Sequence, residues 1–261
     1  MKQFYSLVLI FTVLLSSCRV DEFSPCDDAP GMEGLLCKEF RFENNETIGY
    51  LAYYYNSNKQ LVRKDYKSAD GELKKYDTFT YATGKISAEN YYNAQGKLIA
   101  EKEYLYDALL NLSNVYHIEN GVEVAYKQYE YNDTLLKKES SFNYNLLENY
   151  TVYQYYNGET NLYRKSVYSS SNELLSYTNI EYFVNNYERH NHYTGSHIFT
   201  GYDVFEFDAS GNIVRSSVYD FSGKRMSYIQ YTYNSSGQLD TSREYDEDNK
   251  LRKNNKYIYH N

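Results

Sequence analysis

The residues best suited to do chemistry in this 261-residue chain are three histidines close together, His190, His192 and His197. His190 and His192 are two apart, so they share a face if the segment is extended, and imidazoles so placed could take zinc or copper. The alternative is an ordinary polar surface, because Asn185 to Gly195 is a degenerate stretch. This trio is the sole metal candidate, set against an expectation of no metal. Asp246-Glu247-Asp248 is acidic but lacks the spacing of a calcium loop, and turn chemistry explains it better. No Gly-x-Ser-x-Gly, Gly-x-Gly-x-x-Gly, phosphate-binding loop or His-Glu-x-x-His occurs. No cysteine follows Cys37, which removes thiol nucleophiles and thiolate metal sites from the body of the chain. No catalytic residue, no enzymatic activity and no cofactor are therefore expected. A carboxylate pair set for glycoside hydrolysis stays open, since separation in space cannot be read from sequence.

The elements that would carry any site are written in tyrosine, which supplies 35 residues against 12 phenylalanines. Many fall in one phrase: an aromatic, Asn or Asp, two small or polar residues, Gly or Asn, any residue, then Leu or Ile. Good copies start at Tyr55, Tyr92, Tyr106, Tyr156, Tyr168, Phe207, Tyr233 and Tyr245, and looser ones at Tyr66, Tyr81, Tyr131, Tyr144, Tyr182 and Tyr219. The Asn or Asp begins a type I turn and accepts hydrogen bonds from the backbone further on, while Gly supplies positive φ. Asn172 and Asn249 replace Gly in otherwise intact copies, and Asn tolerates that conformation best among the other residues. Short strands joined by tight turns follow.

Even separations between each closing aliphatic and the next aromatic, as from Leu162 to Tyr168 or Leu239 to Tyr245, place both on one side of a strand. One face is therefore expected to be Tyr and Leu and the other Lys, Glu, Ser, Thr and Gln. The fold class is all-β: an antiparallel meander of about 14 to 17 short strands, extended and curled as one single-layer sheet or half-shell, with a closed barrel as the alternative. An outer-membrane barrel fits badly, because its lipid-facing band must be apolar. Both prolines, Pro25 and Pro30, precede the array, as interior strands require. An exposed terminal strand near Tyr257 to Tyr259 is open to pairing with another copy or, equally, to being covered by charge or by the tether.

At the start, Lys2 is followed by an apolar run from Phe4 to Leu15, too short to span a bilayer, and then by Leu15-Ser16-Ser17-Cys18. The segment resembles the lipobox of bacterial lipoproteins, which implies cleavage before Cys18 and acyl chains on that cysteine. Arg19-Val20-Asp21-Glu22 looks like the acidic export tag of surface lipoproteins in Bacteroidetes. Three regions follow: residues 1–17 as signal peptide, 18–38 as a lipidated tether, and 39–261 as the repeat domain. Cys26 and Cys37 remain as an even pair in an oxidising compartment, where a disulfide is expected. The formal net charge is −8, one unit more negative once Lys2 leaves with the leader. Such a field opposes phosphate-backbone binding, so no nucleic-acid partner is expected.

The phrase itself resembles the tyrosine-aspartate (YD) repeats of Rhs, teneurin and insecticidal-toxin shell proteins, Tyr-Asp-x-x-Gly-x-Leu. Phe207-Asp208 with Gly211 and Ile213, Tyr219-Asp220 with Gly223, Tyr233-Asn234 with Gly237 and Leu239, and Tyr245-Asp246 with Asn249 and Leu251 carry the likeness. It implies hairpins in a spiralling sheet that can wrap around a hollow. The chain lacks the family's Asp-Pro-x-Gly core signature, so self-cleavage and encapsulation are not implied. The leading functional expectation is an outer-membrane lipoprotein, anchored through lipid and surface-exposed or periplasm-facing, with a non-catalytic binding or scaffolding surface for a protein or glycan. Exposed tyrosines suit either partner, and the absence of Trp leans toward protein. Alternatives are an immunity or antitoxin-like protein that steers a basic toxin onto an acidic surface, and an envelope hydrolase.

Overall fold

The computed structural model describes Cys26 and residues 31–44, 46–184 and 186–260; Cys18 and the signal segment lie outside the described residues. Eighteen strands run in chain order: β1 (Leu36–Glu43), β2 (Glu46–Tyr55), β3 (Leu61–Lys67), β4 (Leu73–Ala82), β5 (Lys85–Asn93), β6 (Leu98–Tyr106), β7 (Leu112–Glu119), β8 (Val122–Asn132), β9 (Leu135–Asn143), β10 (Leu146–Tyr155), β11 (Leu162–Ser169), β12 (Leu174–Phe183), β13 (Tyr187–Thr194), β14 (Phe199–Phe207), β15 (Ile213–Asp220), β16 (Arg225–Tyr233), β17 (Leu239–Asp246) and β18 (Leu251–Tyr259). There is no helix among the described residues. Each strand pairs antiparallel with its successor, and β1 also pairs with β18, in register from Glu39 opposite Tyr257 to Glu43 opposite Lys253. The sheet is thus a closed up-and-down barrel. The terminal strand is not an open edge, because Tyr257 and its neighbours are already paired with β1. The first strand begins at Leu36, which takes three residues from the expected tether and lifts the strand total above the expected range.

The turns form for the reasons read from the sequence. Asn93 Oδ1 accepts from the N–H groups of Gln95 at 3.1 Å and Lys97 at 2.9 Å. Asp107, Asp208, Asp220, Asn234 and Asp246 repeat that arrangement, each accepting from the second and fourth residues ahead. The residue that ends each turn has positive φ, as at Gly96 and Asn249. Elsewhere the turns shrink to two residues of positive φ, Thr83-Gly84 and Asn120-Gly121, the geometry that matches strand twist.

Nearly every hairpin carries a register shift close to its turn, such as that between Glu206 and Phe207 on β14 against β15. These bulges overturn the expectation that Tyr and Leu would share one face. Following the pairing around the barrel, aromatic rings fall on both sides of the wall: Tyr76 lies opposite Tyr92 on one side, and Tyr53 opposite Lys64 on the other. A bulge places two residues against one, so parity counted across it is lost.

Gly201 marks a place where the wall leaves no room. Its φ is 144°, and a Cβ there would lie 2.3 Å from the Tyr219 carbonyl oxygen on β15. Gly201→Ala is therefore expected to destabilise the barrel by about 1–3 kcal/mol, read as a lower urea midpoint. An unchanged midpoint would show that the strand relaxes at no cost.

Candidate functional site

One side of the wall faces the lumen, and the crowding of its phenols identifies it. Every tyrosine whose phenol is pushed up by burial, from Tyr53 and Tyr55 through Tyr104, Tyr129 and Tyr153 to Tyr233 and Tyr259, lies on the same face by strand register. On a concave wall side chains converge, which crowds their hydroxyls. The lumen still holds water, since Val218 and Tyr182 on this face remain 45% and 42% exposed. Among the described strands only hydrogen-bonded neighbours come close to one another. A circular barrel of this strand number measures roughly 35 Å between opposite backbones, at about 4.8 Å per strand and a tilt near 40°.

The lumen is not uniform along its axis. The last or last-but-one residues of the even-numbered strands, Tyr55, Tyr81, Tyr106, Tyr131, Tyr155, Tyr182, Phe207, Tyr233 and Tyr259, make an aromatic collar at the rim where β1 begins and β18 ends. They recur at intervals of about 25 residues, the period of one strand pair. Seven of their hydroxyls donate to the carbonyl of a residue at the start of the preceding strand, for example Tyr55 to Leu36 at 2.8 Å and Tyr106 to Ile86 at 2.9 Å. A phenol tied to the adjacent strand lies flat along the wall and shows its ring face to the lumen. A second tier sits two residues deeper, and there the hydroxyls of Tyr53, Tyr104 and Tyr153 donate to Glu39, Glu89 and Glu139 at 3.0, 2.9 and 3.2 Å. Burial, reinforced by those carboxylates, raises these three phenols well above the ordinary tyrosine range. At the other mouth the corresponding positions are small or polar, as at Gly49, Ala100, Ser176 and Ser227.

The outer face is built differently. Rings there stack in pairs across neighbouring strands: Tyr76 on Tyr92, Tyr150 on Tyr168, Tyr177 on Tyr193, Tyr202 on Tyr219 and Tyr228 on Tyr245, with centroids 4.6–5.1 Å apart. Arg63, Arg164 and Arg189 lie over Tyr76, Tyr177 and Tyr202 at 4.1, 3.9 and 4.0 Å. Asp65, Glu103, Lys138, Arg215 and Lys256 share this face in mid-strand. It therefore has no continuous apolar band, and each Arg or Lys at a bilayer midplane would cost about 2–4 kcal/mol. The fold and its surface define a water-filled barrel with a polar outside.

Of the residues read as site candidates, His190 and His192 do share the lumenal face, but His197 sits in the turn between β13 and β14 and contacts Tyr177 on the outer face. His192 bonds Asp203 at 3.0 Å and Thr178 at 3.1 Å. His190 contacts Glu188 at 3.3 Å, and burial holds its pKa below the usual imidazole value against that carboxylate. Among the described residues no group of three His, Cys, Asp or Glu is placed to hold a metal. Asp246 works as a turn acceptor, as its position in the phrase predicts. Cys26 and Cys37 are joined, with Cα atoms 5.2 Å apart. Sequence reasoning missed the collar, although its interval of about 25 residues was present in the spacing of the tyrosines.

No protein family's sequence profile matches the chain, and no curated protein does. Among solved structures, a porin-like protein from Bacteroides uniformis is 10% identical, with 87% of this chain and 98% of that chain aligned at a TM-score of 0.49. A porin-like protein from Bacteroides vulgatus is 9% identical over 86% and 98% of the two chains, at 0.38. A Photorhabdus luminescens Tc holotoxin pore is 11% identical over 78% of this chain and 14% of that chain, at 0.24. Likenesses at these levels carry no argument about role.

The collar makes stability depend on alkaline pH. Tyr55 is raised to about 12, first by burial and then by the proximity of Tyr81 and Tyr259. The unfolded chain loses phenolic protons near pH 10, whereas the barrel retains them. Stability from this source is complete below that value and falls as pH rises toward 12. Urea midpoints are expected to agree at pH 8 and 9 and to drop at pH 11, with part of the phenolate absorbance at 295 nm appearing only as the barrel opens. Tyr55→Phe should cost about 1 kcal/mol at pH 8 through loss of its bond to Leu36 and should shrink the alkaline drop. Ionisation of all tyrosines near pH 10 with the fold intact would contradict this.

Proposed function

We propose that this protein is an outer-membrane-anchored lipoprotein whose tyrosine-rich barrel is a non-catalytic binding or scaffolding module held in water at the envelope. The observation that carries the reading is the polar outer wall: arginines, lysines and carboxylates interrupt it in mid-strand. A barrel so faced is not stable in hydrocarbon. Attachment then falls to the acyl chains that the lipobox resemblance assigns to Cys18, and several chains on one residue anchor stably where one would not. The chain enters the barrel next to its C-terminal strand, where Gly34 N–H donates to the His260 carbonyl at 2.9 Å and His260 N–H to that of Leu35 at 2.9 Å. The chain therefore enters at the collared mouth.

Cys18→Ala is expected to move the protein from the outer-membrane fraction to the soluble fraction without changing its urea midpoint. Retention of this variant in membranes washed with alkaline carbonate would sink the reading, because the barrel wall itself would then be membrane-embedded.

A further inference from the structure

The nine strand pairs are near-equivalent, so a specific site must lie where the repeat is broken. One break combines several departures. Between β8 and β9 the turn is reduced to two residues, Asp133 with φ 54° and Thr134, as it also is on this rim at Thr83-Gly84. The next turn on the same rim, between β10 and β11, is the longer segment from Tyr156 to Asn161. A short turn beside a long one leaves a notch in the rim, and a cavity of about 820 Å³ opens there into the lumen. That volume lies within the range of small-molecule sites.

Two collar rings, Tyr131 and Tyr155, and Tyr153 of the tier below form its floor, and Tyr156 on the long turn stands at its edge, 44% exposed, with its ring against Tyr163. The hydroxyls of Tyr153 and Tyr155 are committed to Glu139 and to the Leu136 carbonyl, which fixes both rings flat against the wall. Tyr131 alone among the collar tyrosines makes no such backbone bond, so its hydroxyl is available to a ligand. Lys137, Asp133 and Glu159 add one positive and two negative groups to the lining.

We infer that this notch binds a short, uncharged oligosaccharide. A pyranose presents C–H faces that stack on rings and an edge of hydroxyls that exchange hydrogen bonds, and the notch alternates the same two features. The surplus of carboxylates, within a chain of net charge −8, disfavours an anionic ligand. This inference rests on the reading of the barrel as a non-catalytic binding module and names its ligand class.

The test is titration of the full-length protein, purified in detergent, with gluco-, manno- and xylo-oligosaccharides of three to six units, followed by calorimetry and by chromatography of the sugar. At least one series is expected to saturate and to be recovered at its original length. Tyr156→Ala, which removes an exposed ring, and Tyr131→Phe, which removes only a hydroxyl, should each weaken binding by roughly fivefold to tenfold, in line with about 1 kcal/mol per contact. Val184→Ala, at an exposed hairpin tip outside the notch, should leave binding unchanged. Saturation with wild-type affinity in both tyrosine variants would overturn the inference, and so would a lack of binding by every series while the barrel still engages a protein partner. Shortened sugar products would instead overturn the non-catalytic reading.

Discussion

Closure between the first and last strands is the constraint on which everything else depends. A meander of paired strands leaves two edges whose N–H and C=O groups invite further pairing, and a single layer of this length has no second sheet to cover them. Pairing β1 with β18 removes both edges in one step. The seam is reinforced where it closes: Gly34 N–H donates to the His260 carbonyl at 2.9 Å, and Gln238 Nε2 to the Gly34 carbonyl at 2.8 Å. Without closure there is no concave face, so no crowding of phenols, no collar and no notch.

Two kinds of tyrosine then divide the work across one wall. The outer rings stack between strands and are overlaid by arginines, contributing about 0.5–1.5 kcal/mol for a stacked pair and about 0.5–1 for a ring under a guanidinium. Because those contacts join specific positions on adjacent strands, they fix register from the water side. The pairing of Glu101 with Ile118 is a gap in that ladder, where neither residue is aromatic. The inner phenols are anchored to backbone carbonyls and carboxylates, and so the lumen does not need to be packed solid. Tyrosine rather than phenylalanine is required for this: each ring needs a hydroxyl that reaches the neighbouring strand, and Phe207 is the one collar member that cannot make the bond.

How much of this was legible followed the range of the interactions. Turn chemistry is local, so Asn93, Asp208 and Asp246 predicted their own hydrogen bonds. The reading slipped at one loose copy and one good one: Tyr144 is itself a turn residue with φ 44°, and at Tyr156 the collar position belongs to the residue before it. Faces were misassigned because one extra residue at a bulge reverses every side chain counted across it, and a bulge has no sequence mark as clear as Gly in a turn. Closure was an alternative rather than a deduction, since nothing local in β1 or β18 says that they meet. The histidines show the same limit: the two-residue spacing correctly put His190 and His192 on one face, but the turn before Ile198 carried His197 to the other side of the wall.

Repetition also constrains where function can reside. An array of equivalent strand pairs offers the same chemistry at every position around the ring, which suits avidity for a large partner but not recognition of a small one. Unique recognition needs a departure that survives because it does something other than hold the wall together. Glu39, Glu89 and Glu139 do not qualify, because each is bound to a tyrosine of the next strand and serves the wall itself. The unbonded hydroxyl of Tyr131 and the lengthened turn at Tyr156 qualify, since the first adds no contact between strands, the second touches only Tyr163 at the start of the following strand, and both border the same opening. If stability alone had shaped the chain, the position of Tyr131 would carry the carbonyl bond found at seven of its counterparts.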